Sequence, residues 1–154
     1  MDIWDIEKAM LSREPLTHEH VRSAHIALRS RNEKKKLIAC EATLRSRSPR
    51  ALREKALRLI KAMCERFVET GASQYTNLPL ILLYISERDL GADPIFRQFL
   101  LKSVSHPRMR INAILVLKRF VGSHDSEVIE VLRRACTDRD PSVKKNAKYA
   151  LRGA

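Results

Sequence analysis

Aromatic residues, glycine and proline are all scarce in this sequence. Aromatic side chains make up 5% of its 154 residues, with only 4 glycines and 6 prolines. So few turn-forming residues disfavour a fold of many short strands, and so few rings require a core of aliphatic side chains and alanine. Because hydrophobic residues still reach 44%, the chain can form one ordinary domain with a core. We therefore expect an all-α protein.

Cysteines and long apolar runs are also sparse. The 3 cysteines, at positions 40, 64 and 136, form no Cys-x-x-Cys pair, which favours reduced thiols over a disulfide framework. The most apolar run, at residues 78–85, is too short to span a bilayer. The N-terminal "MDIWDIEK" carries acidic residues where a signal peptide would carry basic ones. We expect a cytoplasmic protein that does not insert into a membrane.

Acidic residues are outnumbered by basic ones, 18 against 30, which gives a net charge of +12. The excess is concentrated at residues 33–67, with 11 basic and 4 acidic residues, and at residues 93–124, with 6 and 1. Residues 1–32 are balanced, whereas residues 68–92 are slightly acidic. Such a charge attracts polyanions at low salt. The alternative interpretation is a basic soluble protein whose charge has no particular partner.

Apolar periodicity, interrupted by proline and glycine, predicts nine helices. They are expected at residues 2–12, 17–31, 32–45, 49–69, 78–90, 93–104, 107–121, 125–137 and 140–152. Pro107 is expected to begin one helix, and Gly91 and Gly122 to end two others. Residues 69–77 show weak periodicity and form the longest predicted loop. Short links should place neighbouring helices antiparallel.

Two of these helices share a sequence skeleton at an offset of 34 residues. Placing Pro107 on Pro141 brings Ala113 onto Ala147, with matching apolar and basic residues on either side. A third copy, "SPRALREKALRLI", aligns through Ala56 after one inserted residue. An alanine in the middle of a helix lets a neighbouring helix approach closely. Because so small a unit buries little surface alone, its copies are expected to stack side by side.

These segments resemble HEAT-type repeats, particularly the short variety named after phycobilisome lyases. In that family an Asp-containing turn, then Pro, Val, a basic residue and spaced alanines mark the second helix of each pair. The segment "DRDPSVKKNAKYAL" matches this pattern closely and "SHPRMRINAILVL" matches it well. The family's basic residue commonly bonds to a turn acid, which implies structural roles for Arg53, Arg110 and Lys144, with Asp138 as one such acid.

The resemblance implies a short α–α superhelix of HEAT-like helix pairs with about eight or nine helices. It would be a single domain over residues 1–154, with an irregular first pair at 1–31 and an extra helix at about 78–90. The repeat-like pairs would lie at about 33–68, 93–122 and 125–153. A family defined by its packing implies little about function.

Basic residues on the second helices are predicted to line one concave wall, where they would bind a partner or phosphate groups. This predicted set comprises Arg50, Arg58, Lys61, Arg108, Lys118, Lys145, Lys148 and Arg152. A secondary basic cluster surrounds the third predicted helix and comprises Lys34, Lys35, Lys36, Arg45 and Arg47. The alternative for both sets is a solvated charged face without a specific role.

Catalytic and metal-binding motifs are not found in the sequence. His18, His20 and His25 lack a cysteine or carboxylate that would complete a metal site, and they are interpreted as surface or capping residues. Neither a cofactor nor an enzymatic activity is expected. A HEAT-like DNA glycosylase, which the resemblance also admits, would find only Trp4 beside Asp5 for its aromatic and acidic groups.

The expected function is that of a non-catalytic scaffold or adaptor, which binds an acidic protein surface or segment through its basic concave face. The alternative is nucleic-acid binding through phosphate contacts without sequence specificity. Since low aromatic content disfavours stacking on single strands, duplex DNA or structured RNA would be its ligand. Apolar end helices, such as the one with Ile3 and Trp4, would either cap the stack or form an oligomer.

Overall fold

The computed structural model describes residues 1–71 and 76–152, and this part of the chain contains helices and no strands. The all-α expectation is confirmed, whereas the expected number of eight or nine helices is too low for this part of the chain, which forms ten α-helices and one 3-10 helix. The helices are α1 (Ile3–Leu11), α2 (His18–Ala27), α3 (Glu33–Arg45), α4 (Arg50–Thr70), α5 (Leu78–Ile81), a 3-10 helix (Leu82–Tyr84), α6 (Glu87–Ala92), α7 (Pro94–Ser103), α8 (Arg110–Val121), α9 (Ser126–Ala135) and α10 (Pro141–Leu151). Positions 72–75 of the predicted loop and position 153 of the last predicted pair lie outside the described residues.

Several helices begin at aspartate. The carboxylates of Asp93, Asp125 and Asp140 accept hydrogen bonds from backbone N–H groups in the first turns of α7, α9 and α10. Pro94 and Pro141 follow at the first helical position. These caps satisfy N–H groups that have no partner within the helix, while proline lacks the N–H altogether. The Asp-Pro helix starts predicted at residues 93 and 140 are therefore confirmed.

The prediction of a single helix at residues 78–90 is wrong, because the helical conformation is interrupted at Ile85 and Ser86. Both residues have extended backbone, with ψ of 138° and 153°. The hydroxyl of Ser86 accepts a hydrogen bond from the N–H of Asp89 and so starts α6 as a separate helix. Serine is a preferred N-cap residue, so Ser86 is itself a signal for a new helix. Apolar periodicity does not detect this signal, because the preceding residues form a continuous apolar run.

Two predicted helix ends also differ from the structure. Gly91 lies within α6, which continues to Ala92 and stops at the extended Asp93. The residue before a proline is disfavoured in the helical region, and Pro94 therefore ends α6 rather than the glycine. Helix α8 begins at Arg110 and not at Pro107, since residues 107–109 form a preceding turn.

The chain divides into two compact units, Met1–Met63 and Cys64–Ala154. In the first unit, α1, α2 and α3 pack against one another. Residues 37–44 of α3 are all buried, including the carboxylate-bearing Glu41. A helix buried on all sides has no amphipathic pattern, which is why its sequence shows little periodicity. The assignment of residues 1–154 to a single domain stays a prediction.

In the second unit, α7 packs on α8 and α9 packs on α10, while α8 also lies against both α9 and α10. Ala113 of α8 and Ala147 of α10 are fully buried, as is Ala56 of α4 in the first unit. The side chain of alanine is short enough to let two helix backbones approach closely. The prediction that these three alanines are packed rather than exposed is confirmed, and α8 and α10 do lie together.

Candidate functional site

Helix α10 presents an exposed basic surface on the second unit. Val143, Ala147 and Ala150, at positions i, i+4 and i+7, are buried and hold this helix against the core. The opposite side is exposed, and we call it the α10 basic face: Lys144, Lys145, Lys148, Tyr149 and Arg152. No residue of α10 itself carries a carboxylate side chain.

Within this face, Lys144, Lys148 and Arg152 are spaced four residues apart, each exposed. The structural role that the resemblance implies for Lys144 is therefore not observed among the described residues. A rise of about 1.5 Å per residue separates neighbouring members by about 6 Å and gives a row about 12 Å long. Like charges at this spacing destabilise a helix by a few tenths of a kcal/mol per pair. The row therefore has a small intrinsic cost in helix stability, and no acidic side chain of α10 neutralises its charge.

Lys118 of α8 extends the α10 basic face. Its Nζ lies 3.9 Å from the ring centroid of Tyr149, within the range of a cation–π interaction. The hydrogen bond and positive charge of Lys118 lower the pKa of Tyr149, with a smaller contribution from Arg152. Tyr149 is 49% exposed, so its ring remains accessible beside the cations. Two helices thus bring Lys118, Tyr149 and Arg152 together.

The predicted basic wall is distributed over both units. Lys145, Lys148 and Arg152 belong to the α10 basic face, and Lys118 adjoins it. Arg108, in the turn before α8, is exposed. The other three members lie on α4 within the first unit: Arg50, Arg58 and Lys61. A single continuous wall formed by all eight residues stays a prediction.

The three basic side chains of α4 differ in their ion pairing and in their exposure. Arg50 forms an ion pair with Glu54, at 2.9 Å between Nε and Oε1, although both side chains are largely exposed. Arg58 is exposed, whereas Lys61 is half-buried. An exposed i, i+4 pair of this kind contributes only a few tenths of a kcal/mol. Its main effect is to neutralise the charge of Arg50.

Other arginines of the second unit hold helices together. The guanidinium of Arg97 in α7 donates two hydrogen bonds to Asp125, at 2.6 and 2.9 Å, and a third to Glu127, at 2.7 Å. Arg110 in α8 donates to Asp138 at 3.0 Å. Asp125 and Asp138 each lie 28 residues beyond their arginine. The structural role expected for Arg110 with Asp138 is confirmed.

The sequence interpretation missed two structural arginines. Arg97 has no counterpart in the repeat alignment, and the only signal for it is the cap acid Asp125 in the following helix pair. Arg119 donates to the carbonyl oxygens of Leu83 and Ile85, at 2.6 and 2.7 Å. These two carbonyl groups lie where the helical segment ends, at the 3-10 helix and the extended Ile85. Apolar periodicity did not reveal this end.

The predicted secondary basic cluster lies within the first unit. Lys34 and Lys35 place their Nζ atoms 5.2 and 5.9 Å from the ring centroid of Trp4. Lys36 forms an ion pair with Glu33 at 3.0 Å. Trp4 is 40% exposed, whereas Ile3 on the same helix is buried. Lys34 and Lys35 therefore contact a partly exposed aromatic ring, whereas Lys36 is paired with an acid.

The other two members of that cluster lie at and just after the end of α3: Arg45 is its last residue, and Arg47 follows in the connection to α4. Arg45 is 3.7 Å from the carboxylate of Glu41. Burial raises the pKa of Glu41, while the charge of Arg45 partly opposes this shift. Arg47 is exposed. Arg53, by contrast, donates to the carbonyl oxygens of Leu44 and Ser46. Its role is structural, but its partners are backbone oxygens and not the turn acid that the resemblance implies.

The histidines of α2 fulfil local roles. Nδ1 of His20 accepts a hydrogen bond from the N–H of Thr17, whose hydroxyl accepts one from the N–H of His20. This exchange is a capping box, and the capping interpretation of His20 is confirmed. Nε2 of His25 lies 2.8 Å from the hydroxyl oxygen of Ser48. Burial lowers the pKa of His25.

Across residues 1–71 and 76–152, no three histidine, cysteine or acidic side chains are grouped to hold a metal ion. Within the same part of the chain, no helix is both long and apolar enough to cross a bilayer. Comparison of the chain with protein-family models, with curated proteins and with solved structures finds no match.

Proposed function

We propose that this protein is a non-catalytic binding module that holds an acidic protein segment against the α10 basic face. The observation that carries the proposal is the composition of that face: four exposed cations with no carboxylate in the same helix. Nearby arginines are used internally, since Arg97 and Arg110 are paired with acids. The α10 cations are left exposed to an external anion.

An acidic segment fits the dimensions of this face. Carboxylates at positions i, i+4 and i+8 of a partner helix repeat at the same spacing of about 6 Å as Lys144, Lys148 and Arg152. Tyr149 adds a ring that is half-exposed and already contacted by Lys118. Tyrosine and arginine are enriched at the centres of protein interfaces, where a flat ring excludes water from charged pairs.

We also propose that the helix pairs form a short HEAT-like α–α superhelix. Support comes from the two arginine–aspartate pairs, which link successive helix pairs across the same interval of 28 residues. Further support comes from the burial of Ala113 and Ala147 in α8 and α10, which pack together. In such an arrangement Lys118 and α10 would belong to the same surface of the stack.

Nucleic-acid binding is the second candidate, and the absence of acids in α10 favours it as well. A row about 12 Å long would contact only a few phosphates of one strand. A plot of the logarithm of duplex affinity against the logarithm of salt concentration would fall with a slope of about 0.9 for each phosphate contacted. With only a few phosphates contacted, this slope would be shallow. This short extent places the acidic protein segment first.

The test compares binding of fluorescently labelled poly-glutamate and of labelled DNA and RNA duplexes to the whole chain. Lys148→Glu with Arg152→Glu should abolish binding of poly-glutamate measured by fluorescence anisotropy. The matched control reverses Arg133 and Arg139, which are exposed in the same unit but lie outside the α10 basic face. The control variant should bind as tightly as the wild type does.

Equal weakening by both double variants would refute the proposal, because it would show a response to net charge alone. Duplex binding that exceeds poly-glutamate binding at the same salt, and is lost only in the α10 variant, would replace the first candidate by the second. Circular dichroism of each variant shows whether its helix content is unchanged.

A further inference from the structure

The first unit contains an open cavity of about 680 Å³ that the proposed function does not use. Its walls come from the α1–α2 connection, the first turns of α2, and the end of α3 with the residues after it. Three arginines line this cavity: Arg22, Arg45 and Arg47. One acidic residue, Glu14, also lines it, so the lining has an excess of positive charge.

The arginines differ in what they already contact. Arg45 is half-buried and near Glu41, so its charge is partly balanced. Arg22 and Arg47 are exposed and come from different elements. One arginine of α2 and one of the α3–α4 connection thus line the same cavity. Planar forks of this type bind phosphate oxygens in pairs.

Backbone dipoles in the cavity wall also favour an anion. Thr17 and His18 line the cavity at the N-terminus of α2, where the helix dipole adds partial positive charge, while the N–H groups of Thr17 and His20 are already used in the capping box. The end of α3 would oppose this with its carbonyl oxygens, but several are occupied. The hydroxyls of Ser46 and Ser48 donate to the carbonyls of Ala42 and Thr43, at 2.8 and 3.1 Å.

The remaining lining residues supply an apolar contact. Leu16 and Val21 are half-buried and face the same cavity. His25 also lines it, and because burial lowers its pKa, the positive charge at neutral pH comes from the arginines. A ligand that satisfies both parts of the lining carries an anionic group beside a carbon skeleton.

We propose that this cavity binds a small phosphate monoester, with Arg22 and Arg47 donating to the phosphate oxygens. The carbon skeleton of the ester contacts Leu16 and Val21. A dianionic phosphate matches two guanidinium groups and a helix N-terminus better than a single carboxylate does. This site lies in the first unit and is independent of the α10 basic face.

The experiment measures binding of phenyl phosphate, inorganic phosphate and phenol to the whole chain by titration calorimetry. Phenyl phosphate should bind more tightly than inorganic phosphate, and phenol should not bind measurably. Arg22→Gln and Arg47→Gln should each weaken phenyl phosphate binding by about tenfold or more, because each removes charge-assisted hydrogen bonds. Arg22→Lys should retain part of the affinity.

Arg29→Gln is the matched control, since Arg29 is exposed in the same unit and does not line the cavity. It should bind phenyl phosphate like the wild type, as should the Lys148→Glu and Arg152→Glu double variant. NMR shifts on titration should be concentrated at Val21 and His25.

Equal loss of affinity in Arg29→Gln, or shifts that avoid the cavity, would overturn the proposal. Binding of phenol as tight as that of phenyl phosphate would do the same. Equal affinity for inorganic phosphate and phenyl phosphate would overturn the assignment of an organic ester. The Lys148→Glu and Arg152→Glu double variant changes the α10 basic face and leaves the cavity unaltered. Phenyl phosphate binding by this variant therefore tests the cavity independently of the proposed function.

Discussion

Asp125 has two separable roles, and replacing it by two different residues should resolve them. Its carboxylate caps α9 by accepting from the N–H of Val128 at 3.2 Å. It also accepts two hydrogen bonds from Arg97. Asparagine caps helices about as well as aspartate does, but it removes the charge, whereas alanine removes both functions. The difference between the two variants therefore isolates the cap.

The expected magnitudes follow from the exposure of the pair. Hydrogen bonds to charged groups contribute about 1.5–3 kcal/mol when well buried. Here the side chains of Arg97 and Asp125 are 30% and 19% exposed, so partial solvation reduces the loss in Asp125→Asn to about 1–1.5 kcal/mol. A lost cap adds about 1 kcal/mol. Asp125→Ala should therefore lose about 2–2.5 kcal/mol of unfolding free energy.

Urea unfolding followed by circular dichroism measures both losses. A double-mutant cycle with Arg97→Met should give a coupling energy close to the whole loss in Asp125→Asn. Arg133→Met serves as the matched control, because Arg133 is exposed on α9 and outside this pair. A coupling energy near zero would refute the inference that Arg97 holds Asp125.

The same pair sets a pH dependence. The hydrogen bonds from Arg97 lower the pKa of Asp125 in the folded protein. The stabilisation is complete above the unfolded pKa of about 3.9 and is lost as the pH falls through the folded value. The stability difference between wild type and Asp125→Asn should therefore stay constant from about pH 7 to 5 and shrink below about pH 4. A difference that grows on acidification would contradict this assignment.

Three further outcomes follow from buried groups. Ala147→Leu should lower the unfolding free energy by about 1–3 kcal/mol, because Ala147 is fully buried and a larger side chain must displace its neighbours; urea unfolding measures this. Arg119→Gln should lose about 2–3 kcal/mol by the same assay, since two carbonyl acceptors lose a charged donor. A thiol reagent should modify Cys136 first, because Cys40 and Cys64 are buried and burial raises both thiol pKa values, that of Cys40 to about 12.

Each of these outcomes has its own control. Lys144→Leu places the same side chain on the exposed surface of α10 and should change stability by no more than about 0.5 kcal/mol. Arg133→Gln is the control for Arg119→Gln: it removes an exposed arginine and should also change the unfolding free energy by no more than about 0.5 kcal/mol. Modification of all three cysteines should become equally fast in urea. Native modification of Cys64 as rapid as that of Cys136 would contradict the burial of α4 at that position.

The sequence predicted most helices because local chemistry determines where they begin. Asp93-Pro94 and Asp140-Pro141 combine a side-chain cap with a residue that lacks an N–H, and both start helices in the structure. The region at residues 78–90 was predicted wrongly. There a continuous apolar run concealed the extended Ile85 and the cap at Ser86.

The candidate site was predictable only in part. Lys145, Lys148 and Arg152 follow from the periodicity of α10, since helical spacing alone separates them from its buried alanines. The cation–π contact of Lys118 with Tyr149 depends on how α8 lies against α10. The cavity lined by Arg22 and Arg47 depends likewise on how α2 lies beside the end of α3.

The amino-acid sequence by itself determined the helical class, the caps and the positive charge, because each depends on composition or on residues a few positions apart. Tertiary structure decided which arginines form hydrogen-bonded pairs with acidic side chains. Arg97 and Arg110 meet acids 28 residues away, whereas the cations of α10 remain exposed. Side chains with the same charge in the sequence differ in function because only packing brings an acid within hydrogen-bonding distance of some of them.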